Sequence, residues 1–326
     1  MKAMRVTQNG DPSIIQLQEI PQPVAGPGEA LVRVHAAGVN YADVYYRNGS
    51  ARRPIPFPLT LGIEGSGTVE AVGDDVKEVK RGDRVAYATM GVGSYAEYQV
   101  VRASVLAPLP DDRSFEDGAA VILQGLTAHY LLHEFYPIKR GSTVLVHAAA
   151  GGMGLLLVQW LKHMGAVAIG TVSTEEKAQI AREAGADHVI LYTKHEFAEE
   201  AKKLTGGKGV DYVIDGVGKT TFTKNLDAVR NRGWATVYGM ASGPADPLSP
   251  NALMTKSITI SGGALFNYMV TREELLSRAR DLFAAMREGW LKLRVVRVFP
   301  LAEAAEAHRL LESRMSTGKL ILKTGR

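Results

Sequence analysis

The stretch His147-Ala148-Ala149-Ala150-Gly151-Gly152-Met153-Gly154 (HAAAGGMG) sets a run of small residues between two apolar segments. Upstream lies TVLV (143–146), short and rich in β-branched residues; downstream lies LLLVQWL (155–161), a helix-like apolar run. In the G-x-G-x-x-G dinucleotide fingerprint the first small residue permits the strand-to-helix turn. The second lets the backbone approach a pyrophosphate, and the third lets helix and strand pack closely. Ala149, Gly151 and Gly154 occupy that spacing, so the first glycine is an alanine. The N–H groups that open the following helix are suited to receive phosphate oxygens. A close-packed structural joint is the rival reading, and the flanking strand and helix favour the nucleotide.

Working outward, strand and helix candidates alternate: 167–173, 188–192, 210–218, 233–241 and 257–263 read as strands, and 152–165, 175–185, 196–206 and 220–230 as helices. Near-continuous apolar strands alternating with amphipathic helices predict a parallel sheet covered on both faces. Gly165, Gly185, Gly206 and Gly233 fall where helices should stop, as carboxy-terminal caps do. Before about residue 120 the texture differs. Short strand-like runs (30–39, 65–73, 83–89, 93–101) are separated by punctuators, and seven of the fourteen prolines lie between Pro12 and Pro58. This is the pattern of an irregular, mostly antiparallel β domain. A helical pattern at 115–135 marks the transition. Beyond 265 come a helix (272–287), a strand (293–299), a helix (302–313) and a last strand (318–323).

An acidic residue about 20 positions past the fingerprint would bind the adenosine ribose hydroxyls of NAD. Here the second strand ends GTVSTEEK (170–177), with Gly170, Thr171 and Ser173 near that place and Lys177 following. Ser173 can donate to a 2′-phosphate and Lys177 can add a charge-assisted bond, which points to NADPH. Glu175 and Glu176 stand against this reading, and a solvated helical lysine is its alternative.

Composition removes several chemistries. The 326 residues hold 38 Lys+Arg against 34 Asp+Glu, a net +4, so nucleic acid binding is unsupported. There is no cysteine, which removes disulfides, thiolate nucleophiles and cysteine-ligated zinc or iron–sulfur clusters. The amino terminus has no signal-peptide core, and no apolar run approaches the roughly 18 residues that span a bilayer. A soluble, cytoplasmic chain without membrane contact is expected. His129 and His133 stand four apart in a predicted helix, but Tyr130 follows His129 where a zinc hydrolase carries glutamate. They are read as packing residues, His147 is read as a hydrogen-bonded sheet histidine, and no metal is expected.

Over the whole chain, AAGVNYADVYYRNG (36–49), PLTLGIEGSGTVEAVG (58–73), VKRGDRVAY (79–87), GSYAEY (93–98), LQGLTAHYLL (123–132), VLVHAAAGGMG (144–154) and STGKLIL (316–322) occur in a specific order and spacing. That series resembles the zinc-free, ζ-crystallin-like quinone oxidoreductases of the medium-chain dehydrogenase/reductase family. The resemblance implies an α/β fold: a GroES-like catalytic domain (1–124 and 266–326) and a Rossmann cofactor-binding domain with a parallel sheet (125–265). It also implies a homodimer, with the strand near 257–266 as its edge. Asn40 would lie near the nicotinamide, Tyr45 in the substrate cleft, and Thr127 on the nicotinamide side of the cofactor. Gly152 and Met153 would form the pyrophosphate turn, Ser173, Lys177 and Tyr192 the adenosine-phosphate pocket, and Gly239 a cofactor-side strand end. Lys319, before the final strand, is grouped with the cofactor contacts.

Zinc-dependent relatives carry a cysteine near Asn40 and a histidine before the glutamate of GIEG. Here the residues are Asn40 and Ile63, and the structural-zinc lobe after GSYAEY is missing. Asn40 also has a second reading as a helix cap, and Tyr45 as a packing residue. The expected activity is NADPH-dependent, metal-independent reduction of a quinone or related conjugated carbonyl, with Asn40 and Tyr45 as catalytic candidates. The alternatives are a 2-enoyl thioester or alkenal reductase, and an NADPH-binding structural or RNA-binding protein with little turnover.

Overall fold

In the computed structural model, which describes residues 1–324, the fingerprint strand Thr143–Val146 lies inside a six-stranded parallel sheet. The order is His188–Leu191, Val167–Val172, Thr143–Val146, Val210–Asp215, Val229–Val237, Thr259–Gly262, and each neighbouring pair runs parallel. The chain steps outward from Thr143–Val146, returns to its other side at Val210–Asp215 and steps outward again. That reversal puts a topological switch point beside the fingerprint strand. The strands are buried on both faces, with Val144, Leu145, Val146, Tyr212, Val213 and Ile214 all at 0% exposure, which is why they read as unbroken apolar runs. Helices Gly152–His163, Glu175–Glu183, Phe197–Leu204 and Phe222–Ala228 alternate with them. One face of the sheet packs Leu145, Ile169, Ile190 and Val213 against Phe197, Ala198 and Ala201.

Gly165, Gly185 and Gly206 follow helices with φ of 72°, 110° and 61°, as left-handed caps. Gly233 does not cap a helix. It lies within Val229–Val237, where a Cβ would meet Val229 Cγ1 at 2.5 Å, so its glycine serves close packing. The helix expected over 220–230 stops at Ala228, and the strand starts at Val229 rather than 233.

The remaining strands form a three-stranded sheet and a seven-stranded mixed sheet. The spine of the larger sheet is Glu29–Val39. Glu64–Val72 runs antiparallel along one side, with Gly65 opposite Ala37. Along the other side lie Tyr98–Arg102 and then Lys319–Lys323, with Leu320 opposite Val39 and Ile321 opposite Gly38. One further step in each register carries Glu64 and Lys319 to the end of the spine, where Asn40 begins. The run 93–101 becomes a strand only from Tyr98. Gly93 has φ 141° and Tyr95 is fully buried, so the chain turns inward before it joins the sheet.

The chain divides into two units: Met1–Leu126, Tyr268–Phe283 and the chain from Leu293 on form the first, and Thr127–Asn267 with Ala284–Lys292 the second. Residues 284–292 thus group with the parallel-sheet unit although the flanking tail segments do not.

Candidate active site

The glycine turn is built as tightly as its spacing predicts. Ala148 takes φ 52°, and the Gly151 N–H closes the turn by donating to Ala148 O at 2.9 Å. A Cβ on Gly154 would stand 2.3 Å from Ala148 O and 2.6 Å from Ala149 Cα, so that helix can approach the turn only as glycine. Ala149 is fully buried, and a Cβ on Gly170 would meet its methyl at 2.6 Å. The methyl that replaces the first fingerprint glycine therefore occupies the space that Gly170 leaves on the next strand. Gly151 is the N-cap of Gly152–His163, and Gly152 and Met153 open its first turn half-buried. Their N–H groups precede any intrahelical partner, the arrangement that receives a phosphate.

Ser173 and Tyr192 follow directly on the paired residues Val172 and Leu191, so both stand at the carboxyl ends of adjacent strands. Tyr192 is exposed, Ser173 half-buried, and Lys177 lies in the first turn of Glu175–Glu183. Partial burial pulls the Lys177 ammonium below its usual pKa, and Glu176 opposes that shift. Glu175 is paired with Arg182 at 3.0 Å along its own helix. The objection raised by these two acids thus reduces to Glu176. Gly239 follows Val229–Val237, and a Cβ there would meet Gly216 O at 2.7 Å. Thr127 is buried within the helix Phe115–His133.

His147 is held from both sides. Its Nε2 is 2.7 Å from Asn225 Oδ1 and its Nδ1 2.9 Å from Thr171 Oγ1. Asn225 Nδ2 donates to Asp215 Oδ2 at 2.7 Å, which turns its carbonyl oxygen toward His147. Nε2 therefore carries the proton, and Nδ1 accepts from the threonine. Burial lowers the His147 pKa, so the residue is a neutral brace beneath the turn. His129 and His133 pack against each other at 4.5 Å and present edges to Trp160. Among the described residues no group of three or more His, Asp or Glu side chains is arranged to hold a metal.

In the other unit the sheet register gathers a second constellation. Asn40 caps the helix Tyr41–Asn48, and Asp43 closes the capping box by accepting the Asn40 N–H at 2.9 Å. The Asn40 side chain has closer partners. Its Nδ2 donates to Glu64 Oε2 at 2.8 Å and to Gly38 O at 3.3 Å, and its Oδ1 accepts from Lys319 Nζ at 2.6 Å. Gln124 Nε2 approaches Oδ1 at 3.4 Å. Lys319 also pairs with Glu64 at 2.6 Å, the two side chains being 4% and 0% exposed, and Glu64 Oε1 accepts the Leu123 N–H at 2.7 Å. Tyr45 is half-buried on Tyr41–Asn48, its ring 6.5 Å from that of Tyr41, and Tyr41 donates to Leu311 O.

Behind Asn40 runs a buried polar chain. Asp43 Oδ2 accepts from Tyr95 Oη at 3.0 Å, Tyr95 Oη lies 3.2 Å from His308 Nε2, and His308 Nδ1 lies 3.1 Å from Arg47 Nη1. Arg47 ends the chain on Glu312 through two bonds of 2.8 and 2.7 Å. Sequence reading missed Glu64, Gln124, Asp43, Tyr95 and His308 as site neighbours. Glu64 carried a signal, a lone carboxylate among glycines and apolar residues in LGIEGSG; His308 sits far along the chain and carried none.

A doubly wound nucleotide unit with a fingerprint turn, together with a GroES-like unit bearing a buried polar cluster, defines a two-part dehydrogenase/reductase. The Alcohol dehydrogenase GroES-like domain family matches residues 26–111, and the Zinc-binding dehydrogenase family residues 152–281. The quinone oxidoreductase of Pseudomonas aeruginosa is 42% identical over 98% of this chain and 99% of its own. A 2-haloacrylate reductase from a Burkholderia species is 40% identical over 97% of each chain. The crystal structure of Escherichia coli quinone oxidoreductase complexed with NADPH matches with a TM-score of 0.96 at 39% identity, covering 99% of this chain and 100% of that one. The chain belongs to the quinone oxidoreductase family of medium-chain dehydrogenases/reductases.

Proposed function

We propose that the protein is an NADPH-dependent reductase of quinones or related conjugated carbonyl acceptors, working without a metal. The observation that carries this reading is the tight turn at Ala148–Gly154, with Gly151 as the N-cap of the following helix, together with Ser173 at the end of the neighbouring strand and Lys177 in the first turn of the helix after it. NADPH supplies a hydride when bound. The helix N-terminus at Gly152 and Met153 holds the pyrophosphate, and Ser173, Lys177 and Tyr192 hold the 2′-phosphate end. Thr127 and Gly239 would contact the nicotinamide half of the cofactor, Asn40 is a further candidate contact, and Tyr45 is the candidate acceptor-side residue, with Tyr45 or water as the proton source. A conjugated acceptor spreads incoming charge onto oxygen, so alignment and a few polar contacts suffice without a Lewis acid. The similarity to a 2-haloacrylate reductase favours activated alkenes as a second acceptor class. We further propose a cytoplasmic homodimer formed along Thr259–Gly262, the outer strand of the parallel sheet. NADPH oxidation measured across quinones, enals, enoyl thioesters and halogenated acrylates, with and without chelator, tests the reading. Tight NADPH binding without turnover of any acceptor would sink it and leave a nucleotide-binding structural role.

A further inference from the structure

The glycine turn opens on a left-handed bend at Ala148, φ 52°, a conformation that glycine adopts freely and alanine does not. Such a bend persists when the residues on either side of it are held. Both are. Parallel register sets Gly170 and Ile214 level with Val146, so the residues that follow, Thr171, His147 and Asp215, stand side by side at the carboxyl ends of three adjacent strands. After the bend, the Ala149 N–H donates to Thr171 O at 3.1 Å; before it, the His147 N–H donates to Ile214 O at 3.3 Å. Side chains complete the clasp. The Thr171 hydroxyl donates to His147 Nδ1, and His147 Nε2 donates to Asn225 Oδ1. Asn225 donates to Asp215, whose oxygens also accept from Thr221 Oγ1 and from the N–H groups of Val217 and Gly218. Thr171, His147, Asn225 and Asp215 are each 3% exposed or less. Apolar side chains would fill that space without the desolvation cost of a polar chain, so what the chain contributes is geometry.

We propose that Thr171 and His147, backed by Asn225 and Asp215, are positioning residues that hold Ala148 in its left-handed bend and so keep the pyrophosphate turn formed before the cofactor arrives. This rests on the reading of the turn as the NADPH site. The four residues act through the backbone of the turn, and the quantity they set is affinity: a turn formed only part of the time binds more weakly in proportion to the fraction formed. Asp215 extends the same chain to Val217 and Gly218, in the loop that leaves the strand on the other side of the switch point. One buried chain therefore fixes the backbone on both sides of that point.

The test uses the two halves of the Thr171 side chain. Thr171→Val keeps the shape and removes the bond to His147, whereas Thr171→Ser keeps the hydroxyl and removes a methyl. A positioning role makes valine the damaging change, and a packing role makes serine the damaging one. NADPH affinity is measured by fluorescence titration, and hydrogen–deuterium exchange read by mass spectrometry follows the turn 147–154 in the protein without cofactor. Thr171→Val should weaken NADPH binding about fivefold or more and speed exchange over the turn, while Thr171→Ser should stay within about twofold of the parent in affinity and match it in exchange. His147→Leu, which removes both ring bonds, should reproduce the valine pattern and takes its place should Thr171→Val not fold, folding being established by circular dichroism. Parental affinity in the folded variant would overturn the proposal, as would weakening by serine equal to that by valine, or weakened binding with unchanged exchange over the turn. A parent that does not bind NADPH fails this inference together with the proposed function, whereas a parent that binds it beside unaffected variants fails the inference alone.

Discussion

Tyr95 and His308 meet edge to face, ring centroids 5.8 Å apart, with the phenol oxygen 3.2 Å from Nε2. Arg47, which has only hydrogens to give, faces Nδ1. The proton of the neutral ring is therefore on Nε2 and points to Tyr95, whose own hydrogen goes to Asp43. Burial, with Arg47 beside it, lowers the His308 pKa to about 3. Burial raises the Asp43 pKa to about 7, against the bonds it receives from Asn40 and Tyr95; Lys319 lowers it and Glu64 raises it. The folded protein thus keeps a proton on Asp43 that the unfolded chain loses above about 3.8, so this group's contribution falls as pH rises toward about 7. His308 has the opposite sign: its contribution falls as pH drops from 6.5 toward about 3. Between about pH 4 and 6.5 the two slopes, each about 1.4 kcal/mol per pH unit, cancel. His308→Gln should lose stability relative to the parent as pH rises through that window, and Asp43→Asn should gain it. Urea unfolding at several pH values checks both, and parallel curves for all three proteins would refute the opposition.

Gly38→Ala should disrupt the Asn40 cluster while leaving the side chains of Asn40, Glu64 and Lys319 unsubstituted. The new methyl would stand 2.1 Å from Glu64 Oε2 and 2.4 Å from Ala119 O, neither of which can yield without breaking the Lys319 pair or moving the helix Phe115–His133. A loss of about 2 to 4 kcal/mol in unfolding free energy is expected, with turnover reduced in whatever folds. A variant with parental stability would show that the cluster relaxes easily.

The alanine in the fingerprint and the glycine opposite it should behave as a coupled pair. Gly170→Ala alone sets two methyls 2.6 Å apart and should cost about 1 to 3 kcal/mol. Ala149→Gly in the same chain frees that space, so the double variant should recover much of the loss. A double-mutant cycle from thermal or denaturant unfolding measures the coupling, and simple additivity would count against it.

Lys177→Ala should weaken NADPH binding by about tenfold or more while changing NADH affinity by less than about twofold, because only NADPH carries the phosphate that a charged donor would hold. Fluorescence titration with both cofactors measures this. Equal parental affinities, or equal weakening, would remove Lys177 from the phosphate site.

The alternating half of the molecule was legible because each strand buried on both faces announces itself as an apolar run, and because helix ends at Gly165, Gly185 and Gly206 require left-handed backbone. Element boundaries slipped where packing overrode local preference. The turn of Tyr95 into the core delayed a strand to Tyr98, and Gly233 proved to be a packing glycine inside a strand.

By itself the sequence determined the glycine turn between a strand and a helix, the absence of cysteine, and the position of Ser173 and Lys177 shortly after the next strand, all local in spacing. Only the tertiary structure decided what Asn40 can do. Its partners Glu64, Gln124 and Lys319 are 24, 84 and 279 residues away along the chain, and sheet pairing between distant strands brings two of them to it. A side chain's hydrogen-bonding capacity depends on what surrounds it, and here strand register sets those surroundings.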